Sequence, residues 1–479
     1  MNIGKKKKVV IIGAGPAGLA AAYEFLRQDQ LSKFKIEIYE MDSQVGGLAK
    51  TLYYKGYRFD LGGHRFYTKF PEINNFYKNF LKRDMLVRKR LSRIYYDKKF
   101  YNYPLLASNA LKNLGIKKSI KIILSWIKRQ FNKYKDEFTF DQWVANRFGD
   151  ELFKIFFKSY TEKVWGIKTS KLSADWAAQR IQNFTLSKAI LNALFQFNTG
   201  SKTIIKKFYY PKYGPGMLYE RIKSLLEKNN VKIFLNHEIT GFNLSANNVG
   251  SINIQDNLKK KIKKVKTDVI VSTMPFDKLV SYLNPPKNVK VQISKLKFRN
   301  FIAVNLIVKS NPFPDQWIYI HDPNVKVGRI QNFKNWSPFM IKEGKKNTAI
   351  GMEYFSSEGD DLWQMADEEI INLAKQEIEE IGLIQKNDIE DAFVCRARNA
   401  YPIYDFNYQI PLKAAKNFIS KFSQIYPCGR GGLFRYNNQD HSILAGFYTA
   451  RNIIAGKIVN DVWGLNESDN YLEEKTKKS

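Results

Sequence analysis

The chain has 479 residues. A single hydrophobic core stops growing at about 250–300 residues, so two or more domains are expected. Its 44% hydrophobic and 14% aromatic residues exclude a disordered chain, and only two cysteines, Cys395 and Cys428, exclude a disulfide framework. Lysine and arginine number 78 against 45 aspartate and glutamate, which favours anionic partners, but no nucleic-acid-binding pattern accompanies them. With neither a secretory leader nor an apolar run of about 18 residues, we expect a cytoplasmic protein, with peripheral membrane contact left open.

The first predicted elements are a buried strand, a glycine-rich loop and a helix. Residues 9–12 are apolar and β-branched, and residues 19–26 are rich in the small side chains typical of a closely packed helix. In such a loop the first glycine allows a tight turn, the second lets the backbone approach a pyrophosphate, and the third lets the helix lie close to the strand. Free N–H groups at the start of the helix would hold the phosphates. The predicted cofactor-binding residues of the loop are Gly13, Gly15, Pro16, Ala17 and Gly18.

A second strand, predicted over residues 35–39, ends in Glu40. An acidic residue about 20 positions after the glycine loop is placed to accept hydrogen bonds from the ribose of a bound adenosine. A GxGxxG sequence alone is a weak signal. Placed between a strand and a helix, with an acid ending the next strand, it predicts a dinucleotide-binding site.

Two following segments resemble the flavin amine oxidase superfamily. Residues 44–51, with the sequence QVGGLAKT, look like its GGxxxT element. Residues 59–66, with the sequence FDLGGHRF, look like its next segment, which passes the flavin ring. The resemblance implies FAD and not NAD. It adds to the expected cofactor-binding residues Gly46, Gly47, Gly63 and His64.

Residues 72–204 are expected to be mainly helical. Within them, segment 111–131 is strongly basic and carries apolar side chains at helical spacing, namely Ile116, Ile120, Ile123, Leu124, Ile127 and Phe131. The pattern fits two interpretations. The apolar side could lie on an anionic membrane, or it could be a core face with its lysines in solvent.

A short motif within this region carries the most specific signal. Residues 158–166, with the sequence KSYTEKVWG, resemble the YTEKxWG segment of UDP-galactopyranose mutases, flavoenzymes that interconvert the six- and five-membered rings of nucleotide sugars. Weaker matches follow in the same order as in the mutases, at residues 62–64, 93–104, 296–299, 429–430 and 435–436. Residues 208–216 instead look like the protoporphyrinogen-oxidase side of the superfamily.

The mutase resemblance implies a role for each matched residue of the substrate site. Tyr160 would stack on the nucleotide base, with Trp165 forming a wall beside it. Arg299 and Arg180 would clamp the diphosphate, although Arg180 lies one residue away from the mutase spacing. Tyr436 would donate a hydrogen bond to a phosphate. The expected catalytic residues are Arg299, Arg180, Tyr436 and His64.

The C-terminal part is expected to complete the cofactor site. Residues 425–430 are predicted as a short strand opening into a loop, and the resemblance implies that Arg430 lies against the flavin. A helix is predicted to start at Asp440 and to end at Gly456. In this superfamily the N-terminus of the last helix points at the flavin pyrimidine. The C-terminal aspartate of the mutases corresponds to Asn438 or, with a one-residue insertion, to Asp440, which is the cofactor-binding candidate.

These elements predict an α/β fold built from three modules. The first is a discontinuous Rossmann-like FAD-binding domain, formed by residues 1–71, 205–275 and 425–479. A mainly helical domain, residues 72–204, is inserted into it. An antiparallel β-sheet substrate domain, residues 276–424, includes strands near 301–308 and 348–354 that would roof the flavin.

The predicted function is that of an FAD-dependent mutase interconverting the pyranose and furanose forms of a nucleotide-linked sugar. The resemblance implies that N5 of reduced FAD attacks the anomeric carbon, so a reductant such as NAD(P)H would be needed. The alternative is an FAD-dependent oxidoreductase, either an oxidase or a desaturase, acting on an amine, carotenoid or porphyrinogen. The four histidines show no metal-ligand spacing, and no metal is expected.

Overall fold

The computed structural model describes residues 6–103, 105, 107–180 and 207–466, and their side chains except those of 107, 108 and 178–180. Its strands, in chain order, are β1 (Lys7–Ile12), β2 (Phe34–Tyr39), β3 (Thr51–Tyr54), β4 (Tyr57–Asp60), β5 (Met85–Lys89), β6 (Ser92–Tyr96), β7 (Lys99–Asn102), β8 (Lys207–Pro211), β9 (Lys232–Phe234), β10 (His237–Ser245), β11 (Asn248–Asp256), β12 (Lys261–Lys266), β13 (Val269–Ser272), β14 (Phe298–Val308), β15 (Trp317–Ile320), β16 (Arg329–Asn332), β17 (Thr348–Ser356), β18 (Ile389–Pro402) and β19 (Ile425–Pro427). Its α-helices are α1 (Pro16–Arg27), α2 (Pro71–Leu81), α3 (Ala107–Phe131), α4 (Phe140–Phe148), α5 (Asp150–Phe153), α6 (Ser159–Trp165), α7 (Ala174–Arg180), α8 (Gly216–Lys228), α9 (Phe276–Ser281), α10 (Lys287–Ile293), α11 (Phe333–Trp336), α12 (Asp361–Gln364), α13 (Asp367–Glu380), α14 (Gln409–Ile419), α15 (Gly429–Gly432) and α16 (Gln439–Ala455).

A five-stranded parallel sheet, in the order β19-β13-β1-β2-β9, forms the first layer of the fold. β1 pairs with both β2 and β13, because its apolar side chains from Val9 to Ile12 can be buried on both faces of the sheet. The predicted strand, glycine loop and helix are confirmed, with α1 beginning at Pro16. The strands come from distant parts of the chain, so the Rossmann-like sheet is discontinuous. The boundaries between the three modules remain predictions.

Helices α1 and α16 contact each other over the core of this sheet. A Cβ built on Gly446 of α16 would lie 2.3 Å from the carbonyl oxygen of Ala17. The two helices can approach this closely only because glycine has no side chain. α16 begins at Gln439 and ends at Ala455, and the next residue, Gly456, has a left-handed φ of +67°, which confirms the helix predicted there.

A second sheet contains seven strands in the order β18-β14-β17-β16-β15-β6-β7. β14 and β17 pair antiparallel from Asn300 opposite Ser356 to Val308 opposite Thr348, which confirms the two strands predicted near 301–308 and 348–354. β6 and β7 come from the segment expected to be mainly helical. They extend the sheet because residues 92–102 are rich in aromatic side chains, which favour strands.

Helix α3 is interrupted at Gly115, whose φ of 77° and ψ of 164° are not helical. Beyond it, Ser119 and Ile122 are buried against the body of the protein, whereas the six apolar side chains predicted on one side of this segment are exposed. The interpretation of that side as a core face is therefore wrong. Among the helices that the structure describes, none has the length and apolar character needed to cross a membrane.

Candidate functional site

Two glycine-containing loops face each other beyond the ends of β1 and β2. The amide of Gly46 donates a 2.9 Å hydrogen bond to the carbonyl of Ala14, which joins the loops. A Cβ built on Gly47 would lie 3.3 Å from Cα of Gly15, whereas a Cβ on Gly15 would meet no atom closer than 3.8 Å. The space beside Gly15 is therefore bounded by backbone, as a phosphate approaching N–H groups requires.

The first loop is held by contacts that only glycine permits. Gly13 has a φ of +96°, and its Cβ would lie 2.1 Å from the hydroxyl oxygen of Thr273. A Cβ on Gly18 would lie 2.0 Å from the carbonyl oxygen of Gly13. Within the described part of the chain no side chain caps α1, which starts with Pro16 and Ala17. The N–H groups of its first turn are therefore open to an anion.

Glu40, predicted to bind a ribose, binds the glycine loop. Its carboxylate accepts hydrogen bonds from the backbone N–H groups of Ala14, at 2.7 Å, and Asp42, at 2.9 Å. Burial raises the pKa of Glu40, and these two donors act against that rise. Each carboxylate oxygen has two acceptor positions, so one on each oxygen is left for a ribose hydroxyl. Ribose binding by Glu40 remains a prediction.

Gly63 and His64 follow β4. Gly63 is exposed, and Nδ1 of His64 lies 3.2 Å from the carbonyl oxygen of Gly62, which places the hydrogen of the neutral ring on Nδ1. Burial, followed by the positive charges of Arg430 and Arg329, lowers the pKa of His64 to about 3. His64 is therefore neutral at physiological pH, and its Nε2 is an acceptor.

Side chains from β18, α15 and the segment before α16 form a stacked cluster. The rings of Tyr401 and Tyr436 are stacked, with centroids 5.6 Å apart and 15° between their planes. The guanidinium of Arg430 lies over both rings, 5.4 Å from that of Tyr401 and 4.9 Å from that of Tyr436. Arg430 donates to the backbone carbonyls of Asn437 and Ala400, which fix the guanidinium without neutralising its charge.

Sequence reasoning missed the charged pair that adjoins this cluster. Arg329 of β16 and Glu353 of β17 are paired in the sheet register and form an ion pair, with Glu353 buried. Arg329 also donates to the hydroxyl of Tyr401 over 3.1 Å, and Gln331 donates to Glu353 over 2.8 Å. Burial acts to lower the pKa of Arg329, but the carboxylate of Glu353 and the tyrosines around the guanidinium together raise that pKa. One feature of the sequence could have predicted this pair, namely Glu353, an acidic residue inside an apolar strand. A buried charge needs a partner of opposite charge.

Tyr160 and Trp165 both lie on α6. The ring of Tyr160 is stacked on that of His321, with centroids 4.6 Å apart and 11° between their planes, so this face is not available to a nucleotide base. Trp165 is buried, with its ring centroid 4.5 Å from that of Trp176 and 6.1 Å from that of Tyr436. Base stacking by Tyr160 and a substrate contact by Trp165 remain predictions.

Lys163, on the same helix, fixes the segment that follows β15. Its ammonium donates to the backbone carbonyls of Ile320, Asp322 and Val327 at 3.1, 2.9 and 3.1 Å. Burial lowers the pKa of Lys163 to about 8. Because the three carbonyls match its three donors, Lys163 links the YTEKVWG motif to the second sheet.

Arg299, predicted to clamp a diphosphate, lies buried among protein acceptors. Its guanidinium donates to Ser357 at 2.6 Å and Asp360 at 2.7 Å, and to the carbonyls of Phe355 at 2.9 Å and Val164 at 3.3 Å. Burial lowers the pKa of Arg299, and the bond to Asp360 opposes this. In this arrangement Arg299 links α6 to the second sheet, and a phosphate would reach it only after these partners moved.

Two further predicted residues lie at the ends of helices. The backbone of Arg180 ends α7, and its side chain, the second predicted clamp, lies outside the described residues. Asp440 is buried in the first turn of α16, where it accepts the N–H of His441 at 2.9 Å, and Asn438 directly precedes that helix. Both candidates for the mutase aspartate therefore lie at the start of α16, and its contact with FAD remains a prediction.

The chemistry of these residues fits a flavin dinucleotide. The backbone at Gly15 and Gly47, which carries no side chains, suits the approach of a pyrophosphate, and the free acceptor positions of Glu40 suit a ribose. The charge of Arg430, next to the neutral His64, suits a ring system that becomes negative on reduction. Except for the buried Glu40, each of these residues is half-buried, so each has surface left for a bound molecule.

Residues 16–412 match a family model described as flavin-containing amine oxidoreductase. Among solved structures, the chain is similar to a reduced UDP-galactopyranose mutase, with a TM-score of 0.80 at 22% identity over 94% of each chain. A proposed protoporphyrinogen oxidase from Exiguobacterium sp. 255-15 gives a TM-score of 0.72 at 14% identity, covering 95% of this chain and 100% of that one. A triple mutant of putrescine oxidase gives 0.61 at 15% identity, covering 94% and 99%. At these identities the likenesses show the fold alone.

Proposed function

Because the chain belongs to the family of flavin-containing amine oxidoreductases and its cofactor is FAD, we propose that it is a mutase interconverting the pyranose and furanose forms of a nucleotide-linked sugar. Structural similarity to a UDP-galactopyranose mutase over 94% of both chains supports this choice, and UDP-galactopyranose is the natural probe substrate. An oxidoreductase would use the same cofactor site, so the choice depends on the groups beside it.

The observation that carries the proposal is the guanidinium of Arg430 over the rings of Tyr401 and Tyr436. Its hydrogen bonds go to uncharged carbonyls, so its positive charge is retained, whereas that of nearby Arg329 is balanced by Glu353. A retained positive charge attracts the phosphates of a nucleotide sugar and repels a protonated amine. The electrostatics of the cluster therefore favour the mutase over an amine oxidase.

Aromatic side chains supply the remaining contacts of the proposed site. The face of Tyr160 turned away from His321 would stack on the nucleotide base, since every base presents a flat face to a ring. The hydroxyl of Tyr436 would donate to a phosphate oxygen next to Arg430. These contacts would hold the sugar in one orientation, which is the main requirement of a reaction that exchanges ring forms.

His64 would orient a hydroxyl group of the sugar. Its Nδ1 hydrogen is directed at the carbonyl of Gly62, so Nε2 is left to accept a hydrogen bond. A pKa of about 3 makes this nitrogen too weak a base to take up the proton. His64 therefore acts by positioning the hydroxyl that closes the ring.

FAD in its reduced form supplies the nucleophile of the proposed reaction. The positive charge of Arg430 favours negative charge close to it, and so favours the reduced state of a ring bound there. We infer that a reductant such as NAD(P)H prepares the protein for turnover.

The test uses the purified FAD-loaded protein with UDP-galactopyranose under anaerobic conditions. The furanose form should appear, by chromatography, only after reduction with dithionite, and no electron acceptor should be consumed. Arg430→Met should keep FAD and weaken UDP binding by roughly 10- to 100-fold, as expected for a lost hydrogen bond to a charged group. Arg396→Met is the matched control, because Arg396 lies on β18, away from the stacked cluster, where it bonds Asp367 and Met365.

Oxidised protein that consumes oxygen with an amine, and leaves the nucleotide sugar unchanged in either redox state, would contradict the mutase proposal. That result would assign the chain to the oxidoreductase alternative.

A further inference from the structure

Helix α3 presents a row of large apolar side chains to solvent. Their exposed fractions run from 37% at Ile123 to 84% at Phe131. Single exposed apolar residues are common on proteins, but a contiguous group marks an interaction site. We call this group the apolar ridge, and its members are Ile116, Ile120, Ile123, Leu124, Ile127 and Phe131.

The apolar ridge is a straight stripe on a fixed helix. At 100° per residue its six members fall within an arc of about 100°, and the segment from 116 to 131 is about 24 Å long. The opposite side of the helix is anchored, since Ile122 is buried and Arg129 donates to Asp150 at 2.7 Å, and Ser119 is buried at one flank of the ridge. The helix cannot turn the ridge inward without breaking these contacts.

Lysines border the apolar ridge along one edge. Lys117, Lys121 and Lys128 are exposed and follow the ridge at roughly 100–140° on the same helical projection, directly beside Leu124. Lys121 also pairs with Glu151 over 3.0 Å, which leaves its side chain 69% exposed. The whole chain carries a formal net charge of +33. The ridge therefore lies next to a cationic edge on a cationic protein.

We propose that this side of α3 docks on an anionic lipid bilayer, with the apolar ridge in the interface and the lysine edge at the headgroup phosphates. A helix lying in the membrane plane needs an apolar stripe that enters the acyl boundary and cations that meet anionic lipid. Lysine stems add apolar contact while their ammonium groups reach the headgroups. This mode of binding requires no membrane-spanning segment.

A second copy of the chain fits the apolar ridge less well. A stable protein interface buries about 800 Å² on each partner, whereas a stripe of ~24 by ~10 Å offers roughly 240 Å². Facing ridges would also bring together two lysine edges and two chains that each carry a net charge of +33. An anionic bilayer attracts the lysine edge instead, and binding to a bilayer requires no complementary protein surface.

The test is sedimentation of the FAD-loaded full chain with vesicles. One set contains phosphatidylcholine and phosphatidylglycerol in equal amounts, and the other contains phosphatidylcholine alone. Binding to the anionic vesicles should be at least ~10-fold tighter and should weaken as salt screens the lysines. The double variant Ile120→Glu with Ile127→Glu should lose at least ~10-fold of that binding. Lys117→Glu with Lys128→Glu should lose the preference for anionic vesicles.

The matched control is Leu258→Glu with Ile262→Glu. Both residues are exposed and lie beside the lysines of β12, so the same change of charge and apolar surface is made on another face. This control should bind as the wild type does, and unchanged FAD content and melting temperature should show that every variant folds.

Equal losses in the ridge variant and the control, or equal binding to the two kinds of vesicle, would overturn the proposal. So would a dimer in solution that the ridge variant converts to a monomer, because the ridge would then be a self-association surface. Light scattering after size-exclusion chromatography distinguishes that outcome.

Discussion

Arg329 and Glu353 are paired on neighbouring antiparallel strands and form an ion pair next to the hydroxyl of Tyr401. Gln331 donates to the same carboxylate, which is buried. The pair thus fixes the hydroxyl of Tyr401, whose ring is stacked on that of Tyr436. Because buried charges depend on each other, the pair can be tested as a unit.

Glu353→Leu should lower the free energy of unfolding by about 3–5 kcal/mol, because it leaves the largely enclosed guanidinium of Arg329 without its carboxylate. The double variant Arg329→Met with Glu353→Leu should lose much less, since no charge is left unpaired. Urea unfolding of the wild type, both single variants and the double variant completes the cycle. Losses that simply add would show that the two side chains stabilise the sheet independently.

Gly15→Ala should abolish FAD binding without unfolding the protein. Its Cβ would meet no protein atom closer than 3.8 Å, but it adds a side chain to the backbone that the pyrophosphate would approach. Flavin absorbance after reconstitution and the melting temperature of the cofactor-free protein measure the two effects separately. The comparison variant is Gly18→Ala, whose Cβ would lie 2.0 Å from the carbonyl oxygen of Gly13 and should reduce stability itself. Full FAD binding by Gly15→Ala would place the pyrophosphate elsewhere.

Arg299→Ala should reduce stability by roughly 1.5–3 kcal/mol, because its guanidinium bonds Asp360, Ser357 and two backbone carbonyls. Because Arg299 links α6 to the second sheet, the variant should also shift the tryptophan fluorescence, to which Trp165 of α6 contributes. Thermal and urea unfolding, together with UDP titration, separate this role from a diphosphate clamp. Normal stability combined with weak UDP binding would show that Arg299 does contact the phosphates.

His321 should make the protein less stable in mild acid. Burial, followed by the charge of Lys163, lowers its pKa to about 3 from an ordinary 6.5. Between these values the unfolded chain binds a proton that the folded chain does not. The folded state therefore keeps its full stability above about pH 6.5. It loses stability as the pH falls below that value, by about 2 kcal/mol at about pH 5.

The measurement is the free energy of unfolding of wild type and His321→Gln at neutral pH and at about pH 5. The variant should lose less stability on acidification than the wild type. The difference between the two proteins isolates His321, because His64 has a pKa lowered in the same direction and is present in both. Identical pH profiles would mean that His321 is protonated in the folded state.

The elements with local signals could be predicted from the sequence. The glycine loop between β1 and α1 depends on residues within six positions of one another, and its tight contacts follow from the absence of a side chain at Gly13 and Gly18. The left-handed end of α16 at Gly456 depends on one residue for the same reason. In these places the backbone conformation itself restricts the residue type, so the sequence reveals it.

The partners of the buried charges were decided by the tertiary structure. Glu353 stands opposite Arg329 because β16 and β17 pair in one register, and a shift of one residue would turn the side chains to the other face. Likewise, the guanidinium of Arg299 donates to protein acceptors, whereas the motif resemblance implied that it would bind a phosphate. Strand register and helix docking depend on the summed burial of many residues, and no single motif encodes that sum.

The apolar ridge shows, within one helix, the difference between what local sequence predicts and what tertiary packing decides. The spacing of Ile116, Ile120 and Ile127 determined that one side of α3 is apolar, but the same spacing fits a core face and an interfacial face. Only the tertiary structure, with Ser119 and Ile122 turned inward, decided that the ridge lies outside. Periodicity fixes the direction of side chains around a helix axis, whereas burial depends on the surface against which that helix docks.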